Sequence, residues 1–149
     1  MKVFCVNAQT ALVIREAQAE SLVRAFLLWK EVVCQEVSLY LVDRETMSQL
    51  HALYFEDPTP TDCISFPMDS VKEMVDYRVL GDVFVCPEVA LEYSQKHSLS
   101  PLTELSLYII HGLLHLLGYD DEYPSERLVM RTEENSAIEY LEGIGVLLS

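Results

Sequence analysis

The sequence lacks paired cysteines, a secretory signal and any apolar run long enough to span a membrane. Cys5, Cys34, Cys63 and Cys86 are widely spread, with no C-x-x-C pair. This spacing favours small core residues in a reducing cytoplasm over a disulfide framework or a cysteine zinc site. The longest apolar stretch, around residues 105–117, is shorter than a membrane span and contains two histidines, which predicts a buried helix and no membrane contact. The amino-terminal apolar run stops too early for a signal peptide, so we expect a cytoplasmic protein.

Repeats and low-complexity segments are also missing, and the only proline-dense stretch is short, at residues 57–60. The chain has 149 residues, of which 50% are hydrophobic. That composition is too apolar for a disordered chain and is sufficient for one core. We therefore expect a single domain over residues 1–149.

Positive charge is scarce, and its scarcity is uneven. The net charge is −14. Residues 1–50 hold five Lys or Arg against six Asp or Glu, whereas residues 51–149 hold five against eighteen. The second part therefore cannot attract a polyanion by its overall charge. Contact with nucleic acid would need a local patch, a metal ion or a basic partner, and most of the acidic residues suit a solvated surface.

The pattern of apolar residues predicts four strands and five helices. The strands are expected at residues 2–6, 36–42, 62–66 and 82–86, and the helices at 13–31, 44–54, 87–97, 101–118 and 125–147. Asp43 and Ser100 suit helix N-caps, and Pro101 suits the first helical position. The order βαβαββααα predicts an α+β fold, with about five helices packed on a small mixed four-stranded sheet.

The segment HGLLHLLGYDD, residues 111–121, contains the candidate metal ligands. His111 and His115 are four residues apart, so both project from one face of a helix and can bind one metal ion. Gly118 allows the chain to turn back, and Asp121 then lies at the offset where metzincin proteases place their third ligand. Three protein ligands leave a fourth position for water, which is typical of a catalytic zinc site. Because the helix is apolar all round, it should be buried at the centre of the fold, where two imidazoles need partners.

Four other residues have simpler interpretations. Asp120 could compete with Asp121 as a ligand, although the offset favours Asp121. Ser65 could be a nucleophile, but an ordinary strand serine lining the cleft is the simpler interpretation. His51 and His97 fall outside the motif and are expected on the solvated surface.

The sequence resembles the YbeY family of bacterial endoribonucleases. The family motif H-G-x-L-H-L-x-G-Y-D-H is matched by residues 111–120. Thr61–Pro67 (TDCISFP) is similar to the family's T-D-V-L-S-F-P strand, and Leu80–Cys86 (LGDVFVC) to its L-G-D-I-x-I-C strand. The resemblance covers roughly residues 35–135. It implies the α+β fold and a single-strand-specific, metal-dependent endoribonuclease that acts in 16S rRNA 3′-end maturation and ribosome quality control.

Two positions depart from the family pattern. The family's third metal ligand is histidine, where this chain has Asp121, a carboxylate that can also bind zinc. The family has an arginine after the tyrosine that matches Tyr54, where this chain has Phe55 near the expected cleft. The resemblance implies that this arginine contacts RNA or supports catalysis. The best remaining basic candidates for RNA contact are in the charge-balanced part of the chain: Arg15, Arg24, Lys30 and Arg44.

Three functional hypotheses follow. The first is a zinc-dependent endoribonuclease with one Zn²⁺ per chain held by His111, His115 and Asp121, acting on ribosomal RNA with ribosomal or assembly proteins as partners and with no nucleotide cofactor. The second is a metal-containing ribosome-assembly binding protein with weak or no nuclease activity. The third is a metallopeptidase, which the sequence disfavours because Gly112 stands where H-E-x-x-H proteases have their general base. No general base for RNA cleavage is identifiable from the sequence.

Overall fold

The computed structural model describes residues 1–56 and 61–149, so the proline-dense segment 57–60 lies outside the described residues. Within those two ranges the chain forms four strands and five helices, in the predicted order. They are β1 (Lys2–Ala8), α1 (Glu16–Trp29), β2 (Glu36–Val42), α2 (Arg44–Phe55), β3 (Cys63–Pro67), β4 (Val79–Val85), α3 (Pro87–His97), α4 (Pro101–Leu116) and α5 (Pro124–Gly143).

The described strands form one mixed sheet in the order β1-β2-β4-β3. β1 pairs with β2 and β2 with β4 in parallel, while β3 runs antiparallel to β4. A parallel neighbour needs a crossover connection, and α1 provides it between β1 and β2. The predicted α+β class with a small mixed sheet is confirmed.

Several predicted boundaries were a few residues wrong. α1 is shorter than the predicted 13–31, because Arg15 is still extended and Glu31 adopts a positive φ of 57° just after the helix. α5 ends at Gly143, before the predicted residue 147. The two N-caps are as predicted: the side chains of Asp43 and Ser100 accept hydrogen bonds from the third residues of their helices.

Helix α4 lies at the centre of the fold, as its uniformly apolar sequence predicts. It packs against β3 and β4 on one side, and α1, α3 and α5 contact it on the others. Its fully buried side chains include Leu105, Ile109, Ile110 and Leu114. A helix surrounded in this way is held in place along its whole length, so the polar residues it carries have fixed positions.

Gly112 allows α4 to approach the sheet closely. A Cβ atom at this position would lie 2.5 Å from Val83 Cγ1 and 2.7 Å from Cys63 Sγ, and both distances are too short for real contacts. The Ser65 hydroxyl donates a hydrogen bond of 2.9 Å to the Gly112 carbonyl oxygen across the same contact. Position 112 therefore faces the sheet, and no side chain at this position fits between α4 and the strands.

None of the helices in residues 1–56 and 61–149 is both long enough and apolar enough to cross a membrane.

Candidate metal centre

The chain reverses direction at the end of α4 and brings Asp121 back towards the helix. Gly118 has a φ of 98°, the left-handed conformation predicted for it. Its N–H donates to the His115 carbonyl, and the Tyr119 N–H donates to the Leu114 carbonyl, which together form a Schellman motif. This turn is why residues at helical offsets 0 and 4 can share a site with a residue at offset 10.

The two histidines and Asp121 form a nearly equilateral triangle of donor atoms. His115 Nε2 lies 3.1 Å from His111 Nε2. Asp121 Oδ2 lies 3.3 Å from His111 Nε2 and 3.4 Å from His115 Nε2. Among the described residues, these three are the side chains whose arrangement could hold a metal ion.

This triangle fits a tetrahedral zinc-like ion. Ligands bound at roughly 2.0–2.1 Å with tetrahedral angles are separated from one another by about 3.3–3.4 Å. The two His–Asp distances of 3.3 and 3.4 Å are longer than ordinary N–H···O hydrogen bonds, whose usual range ends near about 3.2 Å. The group could therefore hold one metal ion.

Glu134 completes the site from α5. The residue is 7% exposed, and its Oε2 lies 2.8 Å from His111 Nδ1. An ionised carboxylate only accepts hydrogen bonds, so Nδ1 is the donor and the lone pair of Nε2 faces the donor triangle. Burial alone would lower the pKa of His111, but the hydrogen bond and charge of Glu134, together with the charges of Asp62 and Asp121, raise that pKa above its ordinary value.

Among the described residues, a cavity of about 440 Å³ opens on one side of the donor triangle, towards α2 and β3. Phe55 and Ser65 both line it, so the two residues expected near the cleft are at its wall. Ser65 uses its hydroxyl proton to hold Gly112, which supports the structural interpretation. Burial raises the pKa of the Cys63 thiol far above its usual value, so this cysteine stays protonated.

His51 was expected on the solvated surface, and this expectation was wrong. It lines the same cavity and lies half-buried, with its ring 5.2 Å from the ring of Phe55. A histidine on the wall of a metal cavity is a group capable of proton transfer. His97 is exposed, as expected, and its ring contacts Tyr93 at 4.2 Å.

A larger cavity of about 630 Å³ opens on the other side of the triangle, between α3, α4 and α5. His111 and Asp121 line both cavities, so the donor triangle lies between them. The larger cavity carries two cations, Arg127 and Arg131, on α5. Arg127 Nη1 donates to the carbonyl of Glu122 at 2.7 Å and to that of Asp121 at 3.4 Å, and thus holds the loop that presents Asp121.

The four basic residues chosen from the sequence lie elsewhere. Arg24 pairs with Glu20, Lys30 contacts Glu133 and Tyr119, and Arg44 pairs with Glu88 and Glu92. In the described part of the chain, neither these three nor Arg15 lines either cavity.

One signal in the sequence could have identified Glu134. The buried positions of α5 are Met130, Glu134, Ala137 and Leu141, which follow the helical spacing of an apolar stripe. A carboxylate within such a stripe needs a buried partner. Arg127 and Arg131 carry no comparable signal in the sequence, because only the packing of α5 beside α4 brings them to the larger cavity.

Fold and site together define an α+β protein that presents three candidate metal ligands at the end of a buried central helix. A family model described as "Endoribonuclease YbeY" matches residues 5–142. The chain belongs to the YbeY family.

Curated relatives agree with this assignment, and a solved structure shares the fold. A protein named Endoribonuclease YbeY from Protochlamydia amoebophila is 45% identical, over 86% of this chain and 85% of its own length. A protein of the same name from Chlamydia felis is 36% identical, over 100% of this chain and 96% of its own length. The solution structure of TM1509 from Thermotoga maritima has the same fold, with a TM-score of 0.68 at 23% identity, covering 95% of this chain and 90% of that one.

We expect Glu134→Ala to weaken zinc binding by roughly 10- to 100-fold, the usual cost of losing an outer carboxylate that orients a ligating histidine. Glu134→Gln keeps an acceptor for Nδ1 and should lose less. Chelator-competition titration measures both, with the exposed Glu139→Ala as the matched control on the same helix. Equal affinities for Glu134→Ala and Glu139→Ala would show that Glu134 does not orient His111.

Proposed function

We propose that this chain is a metal-dependent endoribonuclease that cleaves single-stranded RNA, with one Zn²⁺ per chain held by His111, His115 and Asp121. The observation that carries the proposal is the donor triangle, with sides of 3.1–3.4 Å, placed between two cavities. The relatives named Endoribonuclease YbeY support the choice of RNA as substrate.

Each residue of the site has a distinct task in this proposal. The two histidines and Asp121 hold the ion, Glu134 orients His111, and Arg127 holds the loop that carries Asp121. When bound, the ion would act as a Lewis acid on a phosphate oxygen and would lower the pKa of a coordinated water. His51 lies on the cavity wall, where it could exchange a proton with substrate or solvent.

The finer features of the proposal concern the substrate and its setting. We propose ribosomal RNA, in 16S 3′-end maturation and ribosome quality control, as the family resemblance implies. Ribosomal or assembly proteins are the expected partners, because the −13 balance of residues 51–149 gives RNA no general attraction. The four cysteines are free, which suits a reducing cytoplasm. Residues 1–149 would act as one domain.

A second candidate is a ribosome-assembly binding protein that keeps the metal for structure. The observation that favours it is Phe55, an apolar side chain on the wall of the smaller cavity where the family pattern has arginine. A metallopeptidase is disfavoured by the packing around Gly112, which leaves no room for a glutamate between α4 and the sheet.

Cleavage assays separate the three candidates. The purified protein is incubated with a labelled single-stranded RNA and, separately, with a peptide, each with and without a chelator. The proposal requires RNA cleavage that the chelator stops and that added zinc restores. RNA binding without cleavage would support the assembly protein, and peptide cleavage alone would support the peptidase.

Phe55→Arg should raise RNA affinity several-fold at low salt. The slope of log K against log salt concentration should become steeper by about 0.7, the value for one added contact to a single-stranded phosphate. The reason is that Phe55 lines the smaller cavity and is 55% exposed. Leu53→Arg is the matched control, since it adds the same charge on α2 at an exposed position that does not line the cavity. A gain of equal size in both variants would mean that total charge, and not position 55, matters.

A further inference from the structure

The larger cavity has a built interior that the metal centre does not require. Besides the ligands, it is lined by Tyr93, Leu107 and Tyr108 from α3 and α4, and by Arg131 and Asn135 from α5. Its volume of about 630 Å³ lies within the range of about 300–1,000 Å³ that is usual for small-molecule sites.

We propose that this cavity binds one nucleotide of the RNA next to the cleaved bond, with the base inside and its phosphate on Arg131. This inference rests on the proposed function and extends it. Because the donor triangle lies between the two cavities, an RNA strand that crosses it places its two neighbouring nucleotides on opposite sides. The larger cavity is the side that offers both an aromatic surface and a cation.

The charges of the cavity set the orientation of the nucleotide. Its lining includes Asp62 and Glu104, besides the two carboxylates that already belong to the metal centre, Asp121 and Glu134. Carboxylates repel a phosphate, whereas they accept hydrogen bonds from the amino and imino groups of bases. The base therefore enters and the phosphate stays at the rim.

Arg131 is placed to receive that phosphate. Its side chain is 76% exposed, and its Nε lies 3.8 Å from Glu134 Oε1, a distance too long for a hydrogen bond. A guanidinium has five N–H donors in a fork that fits phosphate oxygens. Tyr93 lines the cavity from α3 and is 43% exposed. Its ring contacts the ring of His97 at 4.2 Å, and a base would stack on the part of the ring that stays exposed.

The test measures binding of a short labelled single-stranded oligoribonucleotide to the protein as purified, with a gel to verify that the probe stays intact. Tyr93→Ala should weaken binding by about five-fold or more, because a base loses its stacking partner. Arg131→Ala should also weaken binding, and the slope of log K against log salt concentration should become shallower by about 0.7. Lys72→Ala and Tyr77→Ala are the matched controls, since both residues are exposed and neither lines the cavity.

The outcomes separate the inference from the proposed function. Losses confined to Tyr93→Ala and Arg131→Ala, with zinc affinity unchanged, support the nucleotide site. If the wild type binds and cleaves RNA while these two variants behave like their controls, the inference is overturned and the proposed function stands. If the wild type neither binds nor cleaves single-stranded RNA, both are overturned.

Discussion

Asp121→Ala should weaken zinc binding by more than about 100-fold. The loss of a residue that only orients a metal ligand already costs roughly 10- to 100-fold in affinity, and the loss of a ligand itself should cost more. Asp121 Oδ2 is one of the three donor atoms, and it lies 3.3 Å from His111 Nε2 and 3.4 Å from His115 Nε2. Without it, two imidazoles remain, and two protein ligands are fewer than zinc sites use. Asp121→His should restore binding by recreating the three-histidine set of the family motif.

The neighbouring Asp120 provides the matched control for this experiment. It has the same charge and lies one residue earlier, but it is exposed and is not part of the donor group. Asp120→Ala should therefore change zinc affinity little. A chelator-competition titration of the wild type and the three variants decides the matter. Wild-type affinity in Asp121→Ala would place the third ligand elsewhere, and a large loss in Asp120→Ala would identify it.

Gly112→Ala should destabilise the fold by about 2 kcal/mol or more, although alanine normally stabilises a helix by roughly 0.5–1 kcal/mol relative to glycine. The new methyl group would lie 2.5 Å from Val83 Cγ1 and 2.7 Å from Cys63 Sγ. Such overpacking typically costs about 1–3 kcal/mol, occasionally more. For a chain of this length, thermal unfolding should then begin roughly 4–8 °C lower.

Gly143→Ala is the matched control, because it makes the same change in a helix where no atom lies within 4 Å of the new Cβ. It should leave stability unchanged or slightly higher. Thermal and denaturant unfolding measure both variants. Equal stabilities would mean that α4 can move away from the sheet at little cost. Gly112→Glu, which would recreate the peptidase motif, should fail to fold and should not gain peptidase activity.

The sequence alone determined the local part of the site. The spacing of His111 and His115, the cap at Ser100 and the turn at Gly118 all act within one helix and its ends. Geometry over such short separations follows from helical periodicity and from backbone preferences. The predicted order of elements and the α+β class were correct for the same reason, since each element has its own apolar pattern.

Only the tertiary structure decided which distant residues join this local motif. Glu134 reaches His111 across 23 positions in the chain, and Ser65 reaches Gly112 across 47. The strand order β1-β2-β4-β3 and the placement of Arg131 at a cavity also depend on how the elements pack. The packing that brings these partners together is driven by burial of apolar surface. The free energy of that burial depends on the area removed from water and not on separation along the chain. The motif therefore predicted a metal centre, while the packing of α5 and the sheet determined its supporting residues and its two cavities.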